Sequence, residues 1–256
     1  MEDDVVVLGS GMAGLGAAHR IRESGARCLV IDKNAYSGGH TASHNRDGFI
    51  FDEGPHVSFT KDARIQKLLV DSVGGDYLNV EAYVDNYWQG RSIRHPVITN
   101  LHGLPEDIIV RVIGDYVDSK RSAGSVIANY EDWLLASYGR TYAELFPMQY
   151  TRKYHTTSAR NLSTEWVGPR LYQAALEEVL RGALSPASPN VHYVQDYRYP
   201  RFGGFASFLR GLEESANILL NHRVISIDIS SRNLRFSNGA TRPFGQLVSS
   251  IPLPDL

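Results

Sequence analysis

The first apolar run of the chain is VVVL, residues 5–8, with acidic residues before it and glycine after it. Four consecutive apolar positions, three of them β-branched and none alternating with polar ones, predict a strand buried on both faces. Positions 12–24 change to a helical rhythm that ends at Gly25, and CLVI (28–31) repeats the buried-strand pattern before Asp32. FIF (49–51) is a further short apolar run, and 61–73 is amphipathic with a helical period. EAYVDNYW and RSIRHPV interleave apolar and polar positions about Gln89-Gly90, which predicts a hairpin. Helices are expected over 105–119, 125–137, 140–146 and 171–184, and SPASPN (185–190) reads as a linker or loop.

After that loop the pattern reverts. YPRFGGFASFLRGLEESA gives a Gly-Gly turn and an amphipathic helix with Phe205, Phe208, Leu209 and Leu212 on one face. NILLN (217–221) predicts a third sheet strand. VISIDIS, LRFSNG and TRPFG predict a small antiparallel meander, and QLVSSIP a fourth sheet strand. The fold class that follows is α/β. A Rossmann-like cofactor domain, mostly parallel sheet plus an antiparallel meander, is split over 1–60 and 200–256, and a helix-rich substrate or lid insertion occupies 61–199.

Composition narrows the picture little. The 256 residues are 43% hydrophobic and 21% charged, with a formal net charge of −2, so no global basic field advertises nucleic acid or an anionic membrane. The single cysteine, Cys28, lies in an apolar run and cannot form an internal disulfide. The acidic start and the absence of an apolar run near 20 residues add to the expectation of a soluble, cytoplasmic protein.

The chemistry begins in the first strand-to-helix turn. GSGMAG sets Gly9, Gly11 and Gly14 in a G-x-G-x-x-G frame between a strand and a helix. Gly9 permits the tight turn, Gly11 lets the backbone approach a diphosphate, and Gly14 with Ala18 lets the helix pack closely on the strand. The helix N-terminus offers free N–H groups and partial positive charge to that diphosphate. Asp32, at the end of the second strand, can accept hydrogen bonds from ribose hydroxyls. A second Gly-Gly, Gly38-Gly39, suits close passage of an extended cofactor.

These segments resemble the FAD-binding segment of flavin amine oxidases, protoporphyrinogen oxidases and UDP-galactopyranose mutases, although His40 stands where many of the oxidases have arginine. FDEGPHVSFT (51–60) is most like the Gly-Pro-His segment of the mutases, in which the histidine lies beside the flavin ring. GRSIRHPVITNLHGLP (90–105), the 130–170 stretch with its W-x-G-x-R ending, and YRYPRFGG (197–204) are similar to mutase segments as well. The resemblance implies FAD as cofactor, with Gly9, Gly11, Gly14, Asp32, Gly38, Gly39, Gly54 and Val224 (at the head of VISIDIS) binding it.

It also implies His56 and Arg170 as catalytic residues, His56 tuning or steering at flavin N5 and Arg170 engaging a nucleotide-sugar diphosphate. Tyr154, His155, Trp166 and Arg170 are the implied substrate-binding residues. In mutase chemistry the reduced flavin N5 attacks the anomeric carbon and displaces the nucleotide, without net redox change. A mutase-like enzyme is the first reading, although Thr151 and His155 stand where the mutases carry asparagine and tryptophan, so the substrate can differ on the same scaffold. A redox flavoenzyme of the amine or porphyrinogen oxidase type is the second reading, and a non-catalytic flavin-binding remnant the third. The families continue with a further strand and helix, so the chain reads as the front part of such an enzyme or a pared-down relative.

Asp52 or Glu53 is expected to cap the turn before His56 rather than form a hydrolytic pair. His40, His44 and His56 lie in a Gly-rich loop without a cysteine, so no metal is expected. No G-x-S-x-G elbow occurs. The expected partner is a small-molecule substrate, with no nucleic acid and no membrane span; a homo-oligomer stays open.

Overall fold

The computed structural model describes residues 5–121, 126–168, 171–186 and 194–256. In chain order the elements begin with β1 (Val5–Leu8), α1 (Met12–Glu23), β2 (Cys28–Ile31), β3 (Ser43–Arg46), β4 (Phe49–Asp52), α2 (Ala63–Ser72) and β5 (Tyr77–Glu81). The hairpin β6 (Asp85–Trp88) and β7 (Arg91–Arg94) follows. Then come α3 (Glu106–Arg121), α4 (Tyr130–Tyr138), α5 (Arg140–Leu145), α6 (Pro147–His155) and α7 (Leu176–Leu184). The chain returns through β8 (Asp196–Pro200), α8 (Arg210–Ser215) and β9 (Asn217–Leu219). It closes with β10 (Val224–Asp228), β11 (Asn233–Phe236), β12 (Thr241–Pro243) and β13 (Gln246–Ser249).

These elements form two compact units, residues 1–80 with 196–256, and residues 81–195. The boundaries read from the sequence were 60/61 and 199/200. Residues 61–80 fall in the first unit because α2 turns Ile65, Leu68 and Leu69 onto Phe205, Phe208, Leu209 and Leu212. Asp62 starts that helix by accepting the Arg64 and Ile65 N–H groups on Oδ1.

The first unit is built on a parallel sheet in the order β13-β1-β2-β9. Its central strands are covered on both faces. Val6, Leu8, Leu29 and Ile31 meet Leu234 and Phe236 of the antiparallel β10-β11-β12 sheet, while Val7 and Val30 meet Ala18 of α1. Burying each such large side chain contributes about 1.5–3 kcal/mol. This is why β1 and β2 carry no polar residue. The mostly parallel sheet with an antiparallel meander is the fold class the sequence predicts.

One difference has a clear physical cause. The expected helix over the Gly203-Gly204 region is a 3-10 turn, Phe205–Leu209, followed by the short α8. Both glycines have positive φ, +80° and +75°, so the chain enters the segment from a bend rather than from helical backbone. FIF forms strand β4 of a hairpin with β3, and Phe49, Ile50 and Phe51 are exposed.

The second unit holds the β6-β7 hairpin and α3 to α7. Gln89 and Gly90 both have positive φ, the geometry of the tight hairpin turn whose twist matches the flanking strands. Its core gathers Ile93, Ile98, Leu101, Val112, Tyr116, Leu134, Ala143 and Val179. Helix α7 begins at Leu176, five residues later than the sequence pattern suggests, where Glu178 accepts the Ala175 N–H at 2.7 Å. No helix among the described residues is long and apolar enough to cross a membrane.

Candidate functional site

The β1-α1 turn is assembled as the glycine frame requires. Gly9 has φ +93°, and its N–H donates to the Ile31 carbonyl at 2.8 Å, tying the turn to β2. A Cβ on Gly14 would stand 1.8 Å from the Gly9 carbonyl oxygen, so that glycine is demanded by the packing of helix on turn. Gly11 is different. Its φ is −70°, and a Cβ there would meet only ordinary contacts, at 3.9 Å, from Gly38 and Gly39. The chain itself has no need of glycine at 11. Space kept clear beside the start of a helix is what a close-lying diphosphate needs. The first turn of α1 carries no acidic residue and no side-chain cap, so no side chain of its own competes for its N–H groups.

Gly38-Gly39 lies alongside. The Gly38 N–H donates to the Ser10 carbonyl at 2.8 Å, and Gly11 and Gly38 form an isolated parallel bridge. A Cβ on Gly39 would come within 3.1 Å of Gly11 Cα. The two Gly-rich segments, 27 positions apart in the numbering, therefore form one bare backbone surface.

Asp32 is buried, 8% exposed, and does more than the sequence suggests. Its Oδ2 accepts the Ser10 N–H at 2.6 Å and the Ser10 hydroxyl at 2.7 Å, and its Oδ1 accepts the Asn34 N–H at 2.9 Å. A carboxylate has about four acceptor positions, so Asp32 holds the glycine turn in shape and keeps capacity for a ribose hydroxyl. Ser10, inside the glycine frame, is a partner of Asp32 that the motif reading passed over. The turn after β9 closes on the same place: the His222 N–H donates to the Asp32 carbonyl and the Asn221 N–H to the Asn34 carbonyl, both at 2.8 Å. Val224 follows at the start of β10, half-buried against the Phe236 cluster.

The carboxylates before His56 have separate partners. Asp52 Oδ1 accepts the Ser43 hydroxyl at 2.6 Å and the Phe205 N–H at 3.1 Å, and Oδ2 accepts the Tyr199 hydroxyl at 2.6 Å. Burial, with Asp52 beside it, pushes the Tyr199 phenol up to about 12. Gly204 is required here, since a Cβ would fall 2.6 Å from both Ser43 Cβ and Asp52 Oδ1.

Glu53 takes His44 Nε2 at 2.7 Å and the Tyr36 hydroxyl at 2.9 Å on one oxygen. Those bonds, His44 first, hold its carboxyl below the usual range. His56 places Nδ1 2.9 Å from the Gly54 carbonyl and rests its ring on Phe205 at 5.6 Å. Ser43 and Tyr199 are further residues with no sequence signal, because their role depends on strands that meet only in the folded chain.

In the second unit, Tyr154 and His155 at the end of α6 and Trp166 form one aromatic group. Tyr150 stacks on Tyr154 at 5.3 Å, His155 lies 5.1 Å from Tyr154 and 5.8 Å from Trp166, and Trp166 lies 4.7 Å from Tyr130. Tyr154 is 69% exposed and Trp166 47%, so flat ring faces are open to a ligand. Thr151 points its hydroxyl to the Pro147 carbonyl at 2.7 Å and is buried. Arg170 lies outside the described residues. No group of three or more His, Cys, Asp or Glu among the described residues could hold a metal ion.

Residues 7–72 match the NAD(P)-binding Rossmann-like domain. The chain superposes on a crystal structure of reduced UDP-galactopyranose mutase with a TM-score of 0.93 and 25% identity, covering 100% of this chain and 56% of that one. A structure assigned as a protoporphyrinogen oxidase from Exiguobacterium sp. 255-15 shares the fold at a TM-score of 0.69 and 18% identity, over 60% of that chain. Prolycopene isomerase 2, chloroplastic, of Oncidium hybrid cultivar is 34% identical over 115 residues, which are 45% of this chain and 18% of that protein. The chain thus spans less than two thirds of these proteins. Its fold is shared with the reduced UDP-galactopyranose mutase structure.

Proposed function

We propose that the chain binds FAD and belongs to an enzyme acting on a small molecule, with chemistry of the UDP-galactopyranose mutase type. The observation that carries the first statement is the bare Gly11/Gly38-Gly39 surface at an uncapped helix start, beside a buried Asp32. In this reading the α1 N–H groups and Gly11 hold the diphosphate, Asp32 the ribose, and Val224 the adenosine end. Gly38, Gly39 and Gly54 let the backbone lie close along the cofactor. FAD, when bound, supplies an isoalloxazine centre able to exchange hydride or act as a nucleophile. His56 sets the polarity beside that ring. The protein is taken to be soluble and cytoplasmic.

The mutase assignment draws on the exposed aromatic faces of Tyr154, His155 and Trp166, which suit a planar base or a sugar. Arg170, in the role its segment implies, would grip a diphosphate with two parallel bonds. A second reading, an FAD-dependent oxidoreductase or isomerase without nucleotide specificity, draws on the 115-residue likeness to prolycopene isomerase 2.

Absorbance of the purified chain in the visible range, before and after adding FAD and desalting, tests the common part. An oxidised-flavin spectrum that survives desalting supports it, and a colourless protein that cannot be reconstituted refutes it for this chain. Quenching of Trp166 fluorescence by uridine diphosphate, abolished by Arg170→Ala with FAD affinity unchanged, separates the mutase reading from the second.

A further inference from the structure

His56 is half-buried and, among the described residues, makes one polar contact, Nδ1 to the Gly54 carbonyl at 2.9 Å. A carbonyl oxygen only accepts, so Nδ1 must carry the proton. In the neutral ring Nε2 then has a free lone pair. The imidazole also lies against the ring of Phe205, tilted by 43° at 5.6 Å. Phe205 is itself placed from its backbone, whose N–H donates to Asp52 Oδ1. Asp52 is braced in turn by Ser43 and by Tyr199. A chain of contacts thus runs from Asp52 through Phe205 to His56, entirely within the first unit.

We propose that Asp52 is a positioning residue for His56: it fixes the Phe205 ring against which the imidazole lies, and so keeps the Nδ1–H bond to Gly54 in place. His56 is thereby presented as a hydrogen-bond acceptor at Nε2, suited to a ligand N–H or O–H and unsuited to a bare carbonyl or ring nitrogen. The proposal rests on the FAD reading only for which molecule supplies that donor. The local geometry explains why a carboxylate sits at 52. One group must accept two hydroxyls and one backbone N–H together, and only a carboxylate has oxygens enough to accept all three without offering a donor.

The test is a long-range proton–nitrogen correlation spectrum of the flavin-free chain labelled with 15N-histidine. It is recorded well above the ordinary histidine pKa of about 6.5, with His56 assigned by its loss in His56→Gln. A single species with the proton on Nδ1 is expected in the wild type. Asp52→Ala is expected to give a mixture of both tautomers, and Asp52→Asn, which keeps an acceptor oxygen for Phe205, to restore the single species.

A wild-type proton on Nε2 overturns the proposal. So does an unchanged single Nδ1–H species in folded Asp52→Ala. If Asp52→Ala does not fold, Phe205→Leu removes the ring with the same expected and overturning results. Because no flavin is present, failure of the FAD reading leaves this result untouched, and the two can be told apart.

Discussion

Tyr199 donates its hydroxyl to Asp52 Oδ2 at 2.6 Å across 147 residues of sequence. The bond joins β8 to β4, and with the Phe205 N–H on the same carboxylate it locks the two sequence-distant parts of the first unit together. A hydrogen bond to a charged acceptor is worth about 1.5–3 kcal/mol. Tyr199→Phe should lower the unfolding free energy by about that much, and Asp52→Ala by more, since it strands three donors. Urea unfolding at neutral pH measures both. Equal stabilities for wild type and Asp52→Ala would remove Asp52 from its bracing role.

The glycines of the first turn should separate into two classes. Gly14→Ala forces a Cβ into the Gly9 carbonyl and should leave little folded protein. Gly11→Ala meets no obstacle within the chain, so it should fold with wild-type stability yet lose FAD retention by tenfold or more on the order of one charge-assisted bond. Thermal melting and flavin content after desalting distinguish them. A Gly11→Ala chain that retains flavin normally would show that no cofactor passes there.

Asp32 serves both turn and ligand, and its variants should report both. Ser10→Ala removes only the 2.7 Å hydroxyl bond and should cost about 1 kcal/mol of stability with a modest loss of flavin affinity. Asp32→Ala also strands the buried Ser10 N–H, and should weaken FAD binding by about 10- to 100-fold as well as destabilise the unit. Titration calorimetry and denaturant unfolding on the two variants give the comparison. Matching affinities would place the ribose elsewhere.

Alkaline pH should destabilise the protein in a defined window. Burial pushes Tyr130 up to about 12 and raises Tyr138 and Tyr142 further; Tyr199 is raised to about 12 as well. A folded-state pKa above the unfolded value of about 10 means stability is whole below pH 10 and falls as pH rises through the raised values. Urea midpoints should therefore drop between about pH 10 and 12. Tyrosinate absorbance should appear together with loss of near-ultraviolet dichroism. Ionisation of all fourteen tyrosines at about pH 10 in a folded protein would contradict this.

The sequence by itself determined the β1-α1-β2 turn, the β6-β7 hairpin and the parallel sheet with its meander. Those features rest on local rules: Gly9 and Gly90 take positive φ, Gln89-Gly90 closes a two-residue turn, and the β-branched runs VVVL and CLVI suit buried strands. It also singled out FDEGPH without revealing which carboxylate did what.

Only the tertiary structure decided that Asp52 braces Phe205 while Glu53 binds His44 and Tyr36, because those partners lie on different strands and turns. Ser10 on Asp32 and Ser250 on the Leu8 carbonyl have the same origin. The exposure of Phe49 and Phe51 does too, since an apolar run carries no mark of which face will find a neighbour. A side chain's polar partner is chosen by which backbones the sheet brings together, and that choice is made by packing over the whole unit.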